Sequence, residues 1–337
     1  MNTSHDIENI RLTAAEIGEL WSTYMNNSAS KCLLSYFINK VKDPNISELV
    51  EFSLDLSETH LKVIEDIFKT VNHPIPQGFN EKDFNINGEK LFSDSFMLQY
   101  IKYLSRFSLY NYSEALTVSS REDVRKFFTD SIQSAVELSN KNDDVLLSKG
   151  LYIRSPYLNV PEEVSFVSKK SYIQDLFGDK RPLNSLEITQ VFINMQTNIL
   201  GKAFAMGLSQ TIKDRKIKDY IIRGKEIAEK HIDVFSDLLK ESDLPSPMTF
   251  DAEITKATDP IFSDKLVMFH FIGLTAFGVA SYGNALSKSM RADVSATFTR
   301  LAAEIAKYAK DGIDIMIDNE WLEEVPNAID RKKLIEV

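Results

Sequence analysis

The sequence predicts an all-α protein built as two tandem four-helix bundles from an internal duplication, and three observations predict it. Residues 12–79 align without a gap on residues 183–250 at a constant offset of 171, and after a one-residue deletion the register resumes at 170. The 12 glycines and 10 prolines gather at breaks, leaving long stretches with helical rather than alternating apolar periodicity. The breaks themselves run short, long, short in each copy.

The matched residues show how closely the copies correspond. Leu12, Glu16, Ile17, Asn27 and Lys31 fall on Leu183, Glu187, Ile188, Asn198 and Lys202, while Glu58 and His60 fall on Glu229 and His231. Beyond the deletion, Phe92-Ser93-Asp94, Tyr112, Arg121 and Asp123 meet Phe262-Ser263-Asp264, Tyr282, Arg291 and Asp293. A period this long implies two complete folding units, because solenoid repeats recur every 20 to 50 residues or so. The expected boundaries are 1–165 for the first bundle with its C-terminal arm, 166–182 for a linker, and 183–337 for the second bundle with its arm.

Helices are expected near 13–41, 46–72, 93–117 and 120–148, and again near 184–212, 217–242, 263–288 and 290–319. Ser93 and Ser263 are expected N-caps, each followed by an acid at the positive helix end and preceded by a phenylalanine able to staple onto Met97 or Val267. Ser119 and Ser289 suggest the same device at the fourth helix, with Asp123 and Asp293 in or near its first turn. Only a few residues join helices one and two, or three and four, so each copy reads as two antiparallel hairpins. Residues 73–92 lie between the hairpins, a segment long enough to run the length of a helix, and two hairpins joined by a long crossover is the ferritin-like arrangement.

Residues 150–182 combine the tail of the first copy with the linker. They carry Tyr152, Tyr157, Phe166, Tyr172 and Phe177, too apolar for a solvated tether and therefore expected to pack across the bundles and hold the copies together. Residues 321–337 match this tail, so each bundle is expected to finish in an extended arm or short fifth helix.

Composition excludes some function classes. A formal charge of −10 argues against a general nucleic-acid binder, which draws most of its affinity from a basic face. The single cysteine, Cys32, cannot form an internal disulfide and aligns with Ala203, which suits a reducing interior. The N-terminus shows no basic region followed by an apolar run, so a cytoplasmic location is expected. Leu266–Leu286 is apolar enough to suggest a membrane span, but its counterpart carries Gln99, Lys102, Arg106 and Glu114, and a buried bundle helix is expected instead.

From the Leu12-Thr-Ala-Ala-Glu16-Ile17 opening to the Trp321-Leu-Glu-Glu end, the chain resembles a family from spore-forming bacilli, built as two ferritin-like bundles in tandem and called spore coat proteins akin to coat F. The resemblance implies a structural or interaction protein associated with sporulation or the spore coat, with other spore or coat proteins as partners. Its signature is the doubled bundle and not a catalytic motif, and fold alone does not carry function.

Ferritin-like proteins that hold two metal ions use a Glu-x-x-His pair on each of two helices. No such pair occurs here: positions three before His5, His60, His73, His231 and His270 are Asn2, Ser57, Thr70, Ala228 and Val267. Glu58 and Glu229 stand two residues before a histidine, on the opposite side of the helix, and cannot chelate one ion with it. No cofactor is therefore expected, and no catalytic residue is assigned.

His60 and His231 nevertheless sit on the core stripe of helix two, and antiparallel pairing brings them level with Asn27 and Asn198. Tyr112 and Tyr282 lie on an inward stripe of helix three. Asn27, His60 and Tyr112, with Asn198, His231 and Tyr282, thus form the candidate site. They read either as a self-satisfied polar layer that fixes register or as a degenerate pocket for a metal ion or small ligand. Glu16 and Glu187 read as helix-end carboxylates, and His73 and His270 as single packed or surface histidines outside any duplicated site. A rival ligand site is a cavity under Gly273, Gly278 and Gly283, which replace Tyr103, Ser108 and Ser113. No phosphate loop, nucleophile elbow or Cys-x-x-Cys is present.

Overall fold

The structure is a computed structural model that describes residues 10–174 and 180–335. The first half contains α1 (Ala14–Ile38), α2 (Pro44–Thr70), α3 (Asp94–Val118) and α4 (Glu122–Ser148), followed by a single helical turn α5 (Ser171–Gln174). The second contains α6 (Ser185–Thr211), α7 (Arg215–Lys240), α8 (Asp264–Lys288) and α9 (Ala292–Asp318), and ends in the short α10 (Arg331–Ile335). Among the described residues the fold is all-helical, with two isolated β-bridges and no extended strand. Within each half the helices of a hairpin pack closely, and α1–α3 with α2–α4, or α6–α8 with α7–α9, close the bundle. Helix α8, long and apolar enough to cross a membrane by length and composition, packs here against α9 and α6.

Local chemistry sets the helix ends. Ser93 and Ser263 cap α3 and α8, as predicted, by accepting from the amides of Phe96 and Leu266. Asp43, followed by Pro44 at the first helical position, and Asp214 cap α2 and α7. Ser119 and Ser289 do not cap the fourth helices. Each hydroxyl instead donates back to Ala115 or Ala285, closing the end of the third helix, and Arg121 or Arg291 occupies the N-cap without a side-chain cap bond.

The two halves share one core. Phe92 stacks on Phe96 and on Phe204, which stacks in turn on Phe271, so aromatic rings from both copies run into one another. The long crossovers exchange reciprocal contacts. Phe84 bridges Phe262 as Phe92 bridges Ile254, and the amides of Ser93 and Ser263 donate to Glu253 O and Asp83 O at 2.9 and 2.8 Å. The Ser93 hydroxyl donates to the Glu253 carboxylate, and the Ser263 hydroxyl donates to Asp83 at 2.7 Å. Every one of these contacts has its mate 170 residues along, which defines a pseudo-twofold axis.

This corrects the role expected of the linker aromatics. Tyr157 and Phe166 are 83 % and 91 % exposed, Tyr172 lies under the Arg181 guanidinium, and Tyr152 alone packs at the edge of the shared core. Phe177 lies outside the described residues. The contacts that join the halves are made by the crossovers and by the α1, α3, α6 and α8 surfaces, whose residues fall in one apolar cluster.

Candidate functional site

In the first half, α1, α2 and α3 bring Asn27, His60 and Tyr112 together in the bundle core, each no more than 7 % exposed. His60 Nδ1 lies 3.3 Å from Asn27 Oδ1 and 3.3 Å from the Tyr112 hydroxyl. The Asn27 amide donates to Thr23 O at 2.8 Å, four residues back on its own helix. With the proton on Nδ1, the imidazole donates to the Asn27 carbonyl, the Asn27 amide is left for Thr23 and Tyr112, and the Tyr112 oxygen can only accept from Nδ1. Rings of Tyr112 and Phe127 meet the imidazole edge-on at 5.5 Å. Burial pushes the His60 pKa down to about 4, so the ring is neutral at pH 7. Beside it lies a cavity of about 40 Å³ lined by Ser30, Ser53, Ser57 and Ser131 among others, a polar space of the size that holds a water or two.

The second half brings Asn198, His231 and Tyr282 together with a different wiring. The Asn198 amide donates to the Tyr282 hydroxyl at 2.8 Å, and that hydroxyl lies 2.8 Å from His231 Nδ1. The direct Asn–His contact expected from the antiparallel register is thus replaced by a tyrosine between the two. His231 Nε2 meets Glu304 at 3.3 Å, and Lys230 holds the same carboxylate at 2.8 Å. Burial lowers the His231 pKa, with Glu304 opposing. Asn198, Tyr282, His231 and Glu304 form a continuous hydrogen-bonded chain able to hold a proton on a defined nitrogen.

Glu304 was not legible as a member of this site, because its counterpart is Ser134 and no matched acid marks the position. Among the described residues no three His, Cys, Asp or Glu side chains converge as a metal site.

The other singled-out residues lie elsewhere. Glu16 and Glu187 are fully buried and join helix one to helix four of the same half. Glu16 accepts from the amides of Ser120 and Arg121 at 2.8 and 2.7 Å and from Thr13 at 2.8 Å. Glu187 accepts from Met290, Arg291 and Asn184 in the same pattern and adds a bidentate pair with Arg181 at 2.8 Å. Burial works to raise the pKa of Glu16, but the backbone amides outweigh it and hold the group at about 2. His270 meets its own repeat counterpart, with Nε2 3.2 Å from the Tyr100 hydroxyl, while His73 stacks on Phe68. Cys32 is buried, and burial pushes its thiol up to about 12, away from thiolate chemistry.

The glycines of α8 divide between the two outcomes weighed for them. A Cβ at Gly278 would lie 3.1 Å from Ile305, a close helix approach, whereas Gly273 and Gly283 face open space. The cavities lined by Gly273 and by Gly278 measure about 50 and 80 Å³, well short of ordinary ligand pockets.

Fold and site together define a class: an all-α tandem-repeat protein whose two halves each hold a hydrogen-bonded Asn–Tyr–His cluster around a buried histidine. The chain belongs to the family described as protein of unknown function (DUF3231), whose model matches residues 2–164 and again residues 171–334. Comparison with curated proteins finds no match. Among solved structures, the chain is similar to a proposed spore coat protein from Bacillus halodurans C-125, at 18 % identity and a TM-score of 0.42 over 46 % of this chain and 100 % of that one. At that score the likeness carries no further argument.

Proposed function

We propose that this protein is a non-enzymatic structural or interaction protein, a pair of ferritin-like bundles used as a scaffold, whose arm between the halves docks onto other protein chains. The observation that carries this is the arm itself. Tyr157, Val160, Val164 and Phe166 stand between 83 % and 91 % exposed along one extended segment. Large apolar side chains in such a row are unfavourable in water unless a partner covers them. The sporulation and spore-coat setting rests on the sequence resemblance, and coat proteins are the partners it implies.

A photo-crosslinking residue placed at position 160 or 166 in producing cells tests the arm. Protein adducts are expected there and not at Arg215, whose side chain is 95 % exposed on a helix start. Equal labelling at all three positions, or none, would overturn the docking role.

The polar cavity beside Asn27, His60 and Tyr112 favours a second reading, in which the Asn27–His60–Tyr112 and Asn198–His231–Tyr282 clusters receive a metal ion or small ligand. Elemental analysis of protein purified without chelators decides it. Near-stoichiometric metal, lost in the His60→Leu, His231→Leu double variant, would establish the site; no metal in either would leave two packed polar layers.

A further inference from the structure

A cleft between α3 and α6 lies away from both histidine clusters, at the seam between the halves. It measures about 340 Å³, the lower end of the range of small-molecule pockets. Helix α3 forms one wall and α6 the other, and the arm after α4 crosses it. Gln99 of α3 donates to Leu151 O at 3.0 Å and Gln196 of α6 to Ile153 O at 3.4 Å, so a glutamine from each half pins the arm.

Arg106 sets this cleft apart. Among the described residues no carboxylate pairs with its guanidinium. Its Nη2 donates to the Thr197 hydroxyl, its Nε is buried without a partner, and its central carbon lies 5.8 and 5.7 Å from the ring centroids of Tyr103 and Phe277. Lys102, the other cation in the lining, is already paired with Asp143. In a chain with 49 acids and 39 lysines and arginines, a half-buried guanidinium with no acid is an outlier, since an uncompensated buried charge is costly. Two rings offset part of that cost.

The duplication supplies an internal control. The pseudo-twofold axis builds the same groove a second time, with Ile272, Gly273 and Ala276 where Lys102, Tyr103 and Arg106 stand, and Asn26 where Thr197 stands. The cavity that Asn26 and Gly273 help to line encloses only about 50 Å³, has no lysine or arginine in its wall, and is not reached by Ile272 or Ala276. Packing the halves together does not require Arg106, then, because the equivalent contact is made without it.

We propose that the cleft binds a small monocarboxylate with an apolar body, its charge received by Arg106 and its body against Tyr103, Phe192 and Leu200. A single unpaired guanidinium balances one negative charge, which favours a carboxylate over a phosphate dianion, and the buried walls favour hydrocarbon or aromatic character. The site is independent of docking by the arm's exposed residues.

Titration calorimetry with octanoate, octan-1-ol and inorganic phosphate tests this on the full chain. Octanoate is expected to bind saturably at one site, octanol at least tenfold more weakly, and phosphate without measurable heat. Arg106→Gln is expected to weaken octanoate at least tenfold with circular dichroism unchanged. Thr189→Trp, a substitution at an exposed position of the lining, leaves Arg106 in place and is expected to block entry, which keeps the test decisive if the Arg106 variant misfolds. No saturable octanoate binding, octanol binding as tight as octanoate, phosphate competing equally, or variants binding like the parent would each overturn the assignment.

Discussion

Glu16 shows how a single side chain can knit a bundle. Its carboxylate takes amide hydrogens from its own helix start and from the start of α4, more than 100 residues away. The folded pKa of about 2 lies below the ordinary 4.5, so the stabilisation, on the order of 3 kcal/mol, is complete above pH 4.5 and is lost as pH falls toward 2. Glu16→Gln is expected to cost about 2–3 kcal/mol in urea denaturation at pH 7 and to flatten stability against pH over that acid window. An unchanged acid profile would show that the amides do not hold the charge. The sequence revealed Glu16 and Glu187 as retained acids near a helix start, since matched positions are visible in a repeat. Their partners at 120–121 and 290–291 were not legible, because only tertiary packing brings those amides near. The same limit hid Glu304, which has no matched acid to flag it.

At the scale of elements, helix boundaries were legible to within a few residues, because Asp-Pro, Phe-Ser-Asp and the sparse glycines punctuate the chain where backbone hydrogen bonds must end. Ser119 and Ser289 misled since a serine between two helices suits either the end of one or the start of the next. C-termini carry a further signal. Gly150 closes α4 at φ 69°, and its counterpart Glu320 closes α9 at φ 57°, each followed by a residue whose amide reaches back 2.8 Å to the helix. Left-handed backbone disfavours a residue with a Cβ, so Glu320→Gly is expected to raise stability by about 1 kcal/mol, seen as a higher melting temperature. A lower one would mean that the glutamate side chain contributes more than its backbone costs.

For the whole molecule, the two halves fold against one another through a common interior, and a single cooperative thermal transition is expected. The fold class and the duplication were legible because they are written in spacing. The joint was not: the linker carries the conspicuous aromatic residues, whereas the contacts are made by crossover residues whose neighbours lie in the other copy. A protease site engineered near residue 160 gives a direct check. Cleaved protein is expected to stay in one piece on size-exclusion chromatography and to melt as before, and separation of the fragments would return the joint to the linker.

The reciprocal crossover contacts also bear on descent. Ser93 reaching Glu253 while Ser263 reaches Asp83 is the pattern of an isologous interface, the kind two identical subunits make. A single-copy ancestor could have paired with itself through those contacts, and fusion would then have made the encounter intramolecular and independent of concentration. It also released the two faces from identity. In a homodimer any change at one groove is a change at both; in the fused chain Arg106 can stand opposite Ala276, one half free to acquire chemistry while the other keeps the assembly together.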